Sequence, residues 1–81
     1  MMESVCPLAF LAPGTVARVA WFRAGKGLQT RLFGMGFCPD VRVKVVSADR
    51  GSVIVSVGGA RYALSSGAAM RVMVRGIEES A

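Results

Sequence analysis

The residues of this chain whose types and spacing could do chemistry gather in one stretch, RLFGMGFCPD at 31–40. Gly34 and Gly36 stand two apart, as in some phosphate loops. Cys38 is a candidate soft-metal contact, and Arg31 could bond strand carbonyls or face a partner. A phosphate cradle needs its glycines ahead of a helix, where the first amides point at the anion. Here Leu28, Leu32 and Met35 recur at i, i+4 and i+7, so the glycines close a short helix over 26–35. Gly36 falls where a helix prefers a left-handed residue after its end.

Metal and catalytic readings lack parts. The chain has no histidine, its two cysteines, Cys6 and Cys38, are far apart, and its acids are scattered. Structural zinc or iron sites use close ligand pairs. A metal contact at Cys38 would need groups from a second copy, and the plainer reading is a small apolar or rim residue beside Pro39. Two thiols in a cytosolic chain are expected to stay reduced. Nucleophilic or acid–base catalysis needs a base beside a nucleophile or paired carboxylates. With neither, no catalytic residue is assigned, no enzyme is expected and no cofactor is implied.

Four alternating segments must position this stretch: TVARVAW (15–21), VRVKV (41–45), SVIVSV (52–57) and RVMVR (71–75), with RYAL (61–64) as a short fifth. The pattern sends Val41, Val43 and Val45 one way with Arg42 and Lys44 opposite. It likewise sends Val72 and Val74 inward with Met73 and Arg75 outward. Pro13-Gly14 marks a turn, 48–51 a hairpin, and Gly58-Gly59 a two-residue hairpin, so the middle strands form a meander. Leu8, Phe10 and Leu11 are expected to pack across one end, and Ser65–Ala69 to make a single turn. The fold class is mainly β: a small barrel of about five strands, with one short helix between strands one and two. It forms one domain over 1–81, with a core at about 8–75 and frayed ends.

At 81 residues the chain has room for one thin core and no internal cavity. Hydrophobic residues make up 53% and ten further positions are glycine, together well above the roughly 45–50% usual for soluble domains. That excess predicts apolar surface for a partner or a homodimer. No apolar run reaches the ~20 residues that cross a bilayer, and the opening, with Glu3 and Pro7, is a poor signal peptide. A cytoplasmic location without membrane insertion is the expectation. All ten basic side chains lie within 4–76, where Asp40 and Asp49 are the acids. So basic a body seeks something acidic. Nucleic acid is the rival reading, since basic barrels bind single strands with exposed aromatics such as Trp21-Phe22, although a thin core also uses its aromatics.

The order of Leu11, Pro13-Gly14, Val19, Arg31-Leu32, Met35-Gly36-Phe37, Pro39-Asp40, Val43, Val45, Ala63-Leu64, Ala69, Val72 and Val74 resembles the FeoA family, ferrous iron transport protein A, over about 8–75. Asp40 stands where the family usually has glycine, and Ala68 where an acid often precedes the alanine. The resemblance implies an SH3-like barrel and a non-catalytic cytoplasmic role in bacterial ferrous iron uptake. It also implies a partner, the GTP-binding domain of the membrane permease FeoB. Nucleic acid is then not expected. Barrels of this type also close diphtheria-toxin-repressor-like regulators, after a helix-turn-helix that these residues lack. The candidate partner surface is Arg31, Phe33, Cys38, Arg42 and Lys44.

Overall fold

Alternation becomes strand wherever a glycine or proline turn allows the chain to reverse. In the computed structural model, which describes residues 4–79, the elements are β1 (Cys6–Pro7), a 3-10 turn (Leu8–Phe10), β2 (Thr15–Phe22), α1 (Lys26–Gly34), β3 (Arg42–Asp49), β4 (Ser52–Val57), β5 (Ala60–Ser65), α2 (Ser66–Ala69) and β6 (Val72–Glu79). The strands form one antiparallel sheet in the order β1-β6-β2-β3-β4-β5. Register shifts between Val16 and Arg18, Val19 and Trp21, and Val45 and Ser47 bend the sheet around its contents.

The turns follow from residue type. Gly58 and Gly59 both have positive φ (57° and 84°), the two-residue arrangement whose twist matches antiparallel strands. Val41 N–H donates to Cys38 O at 3.1 Å across Pro39-Asp40, with Asp40 at φ 69°. Proline second and a left-handed third residue define a type II turn, and aspartate is among the few non-glycine residues that accept that φ. Asp40 then ion-pairs with Arg75.

The end of α1 shapes the core. Gly36 N–H donates to Phe33 O and Phe37 N–H to Leu32 O, each at 3.0 Å, with Gly36 at φ 95°. This pair of bonds is the Schellman motif, which satisfies the last carbonyls and brings the residues at its two ends together. Leu32 and Phe37, 1% and 0% exposed, are both in the core. They join Val19, Val43, Val45, Val55, Val72 and Val74 in one cluster, against which Leu28 and Met35 are half-buried.

The structure departs from the sequence pattern in four places. Cys6–Pro7 pairs with Met73 and Val74, and β6 runs on to Glu79, so strand structure extends past 8–75 at both ends and the strands number six. Phe10 is 68% exposed while Leu8 and Leu11 are buried. Residues three apart eclipse in a 3-10 turn, so Leu8 and Leu11 share the inward side and Phe10 does not. Met73, on the outward parity, is nonetheless 8% exposed, because it lies between Pro7 and Trp21 across the two neighbouring strands. Cys38 is exposed on its turn; it and the half-buried Cys6 are free thiols. The apolar excess surfaces at Phe10, Trp21, Phe33, Met70 and Ile77. No described helix is long and apolar enough to cross a membrane.

These positions predict a contrast in stability. Phe37→Ala should lower the unfolding free energy by about 3–5 kcal/mol in urea denaturation, by lost burial and a cavity. Phe10→Ala should change it by under about 0.5 kcal/mol; similar losses at both sites would contradict the assignment of core and surface.

Candidate functional site

Where α1 crosses the end of β5, a groove of about 430 Å³ remains. Its helix wall is Leu28, Leu32 and Met35, the inward stripe read from the sequence. Its opposite wall is low, because Ala63, Gly67 and Ala68 are small. α2 holds that wall in place: the Ser65 hydroxyl accepts from Ala68 N–H at 3.1 Å, and Ser66 N–H donates to Gly51 O at 3.0 Å. Such an N-cap contributes about 1 kcal/mol. Arg31 is the one charged side chain lining the groove. It is exposed, in the last turn of α1, where a cation also suits the helix dipole. No described strand carbonyl accepts a hydrogen bond from it.

The five candidate surface residues are all exposed but do not form one patch. Phe33 lies two positions from Arg31, so the helix turns it away from the groove. It packs edge-on against Phe22 at 5.4 Å between ring centroids, fastening α1 to β2 while 46% exposed. Cys38 lies in the type II turn. Arg42 and Lys44 project from the outer face of β3, beside a shallow depression bordered by Val16, Ser56 and Gly58. The structure thus separates a groove containing Arg31 from a basic sheet face containing Arg42 and Lys44.

Sequence reading missed the partners of both. Strand register places Arg18 of β2 directly opposite Arg42 of β3 and Arg75 of β6. It also aligns Lys44, Ser56 and Arg61 across β3, β4 and β5. Alternation shows that these side chains face outward. Which of them sit side by side depends on the bulges and on pairing between distant strands, for which the chain carries no local signal. Ala63, Gly67 and Ala68 are equally silent, since small residues reveal a groove only once a helix lies across from them. Among the described residues no group of three or more histidine, cysteine, aspartate or glutamate side chains lies together as a metal site would require.

A curved six-stranded sheet plugged by one helix, with a shallow groove and a basic face as its surface features, defines a small SH3-like barrel module. The FeoA domain model matches residues 6–76, and the chain belongs to the FeoA family. A relative from Methanocaldococcus jannaschii, provisionally named Fe(2+) transport protein A, is 38% identical over 72 residues, covering 89% of this chain and 88% of the relative. The crystal structure of Stenotrophomonas maltophilia FeoA with zinc, described as an SH3 domain protein, has a TM-score of 0.81 at 30% identity and covers 94% of this chain and 99% of that one. A manganese-dependent transcriptional repressor gives a TM-score of 0.85 at 22% identity. It covers 93% of this chain but 43% of the repressor, a likeness of fold alone.

The register carries its own prediction. Like charges directly opposite in a sheet destabilise it, so Arg42→Glu, facing Arg18, should stabilise the protein by about 0.2–1 kcal/mol. The gain should read as a higher thermal midpoint at low salt that narrows as salt is added. A lower midpoint at low salt would show that the two guanidinium groups do not oppose each other.

Proposed function

We propose that this protein is a non-catalytic accessory component of ferrous iron uptake that works in the cytoplasm by binding the GTP-binding domain of an FeoB-type permease. The observation that carries this reading is the family match over residues 6–76. In support, the M. jannaschii relative is named for Fe(2+) transport, and the S. maltophilia protein is described as a candidate ferrous iron transport activating factor. The chemistry of the surface agrees with a role by contact. The α1–β5 groove offers the half-buried Leu28 and Met35 to an apolar partner element, with Leu32 at its floor and Arg31 beside them for a carboxylate. Burial of such an apolar contact supplies affinity, and the charge fixes orientation.

Binding of the purified permease domain in its nucleotide-free, GDP and GTP-analogue states, followed by calorimetry, tests this directly. Association is expected in at least one state. Ala63→Trp, which fills the groove from an exposed strand position, should weaken it by at least about tenfold, as should Arg31→Glu. No association in any state, together with unchanged iron uptake when the gene is deleted, would remove the proposal.

A further inference from the structure

The outer face of the sheet carries cations in register across strands. Arg18 lies opposite both Arg42 and Arg75, and one row along Lys44 aligns through Ser56 with Arg61. All project from one side because Val43, Val45, Val55, Val57 and Val74 take the inward positions. The acids on this face are Asp40, which pairs with Arg75, Glu78, which lies opposite Val16, and Asp49, which lies opposite Ser52 at the far end of β3. Cations outnumber acids on the face, and among the described residues no ion pair joins an acid to Arg18, Arg42, Lys44 or Arg61. Directly opposed arginines work against the fold, so this arrangement points to an anionic surface that covers them. Trp21 lies on the same face, opposite Met73 and 51% exposed.

We propose that this face docks on an anionic phospholipid bilayer, with Arg18, Arg42, Lys44 and Arg61 at the headgroup phosphates and Trp21 at the membrane interface. Cations spread over several strands suit a two-dimensional array of phosphates, and tryptophan is favoured at the boundary of headgroups and acyl chains. A single-stranded nucleic acid requires something else, a charged track with rings in series on which successive bases stack. On this face Trp21 is the one aromatic side chain that strand register supplies. Phe22 pairs with inward Val72, and Tyr62 pairs with inward Val55. The inference goes beyond permease binding and shares no residue with the α1–β5 groove.

Trp21 is the single tryptophan, so its emission reports this face. With vesicles of roughly 30% phosphatidylglycerol in phosphatidylcholine at about 0.05 M salt, emission should shift to the blue and the protein should float with the lipid. Both effects should vanish on pure phosphatidylcholine and at about 0.5 M salt. Each basic residue near an anionic leaflet is worth roughly fivefold, so the Arg18→Glu, Arg42→Glu double variant should lose at least about tenfold in partition. A control of equal net charge, Lys26→Glu with Arg50→Glu, should lose less. Circular dichroism checks that both variants remain folded. No binding to anionic vesicles at low salt, or equal losses in the two double variants, would overturn the proposal. So would a single-stranded oligonucleotide that binds more tightly than vesicles at the same salt and depends on Arg18 and Arg42. None of these results bears on capture of the permease domain, which is measured without lipid.

Discussion

The reversal at Gly36 is the constraint on which the other contacts depend. A left-handed residue there lets Phe37 N–H return to Leu32 O, and the same turn places Phe37 at the centre of the core. A β-carbon at Gly36 would meet Val57 Cγ1 at 3.5 Å, an ordinary contact, so the demand for glycine comes from backbone angle and not from crowding. With Phe37 seated, these bonds tie the end of α1 to the core. Leu32 is then drawn in, Leu28 and Met35 are left half-buried, and the groove beside β5 opens as a result.

The features that distinguish this fold are therefore those it leaves uncovered. The six-stranded sheet fills its interior chiefly with valines and leucines around one phenylalanine, Phe37. On the outside, α1 and β5 form an apolar groove and the strands present a basic face. The two surfaces have different physical characters. A partner in the groove would be held by shape and short-range contact, whereas one on the face would be held through a field that salt can screen.

Residues whose geometry is set within a few positions were legible in the sequence. Gly58-Gly59, the stripe Leu28, Leu32 and Met35, the turn beginning at Ser65, and the inward Val72 and Val74 all follow from local rules. The resemblance to the FeoA family shares some of these positions, Leu32, Met35, Val72 and Val74. What escaped depends on distant partners. Cys6–Pro7 is too short to show alternation and is a strand only because β6 lies alongside. Met73 is buried by neighbours on two other strands. Phe10 looked like core by composition and was turned out by the three-fold repeat of a 3-10 turn. The candidate surface Arg31, Phe33, Cys38, Arg42 and Lys44 was chosen from exposure expected by pattern. That the residues belong to separate surfaces is a matter of register and helix phase.

The opposed guanidinium groups of Arg18 and Arg42 have a thermodynamic corollary. Any anion that lies across them binds the folded chain and has no comparable site on the unfolded one, where the strands are apart. Occupancy and folding are then linked, and the free energy of unfolding rises with the logarithm of anion concentration once the site begins to fill. A chain that binds an anion through this pair would be more stable than the same chain free. Binding of an anion and resistance to unfolding would then be coupled through the same pair of side chains.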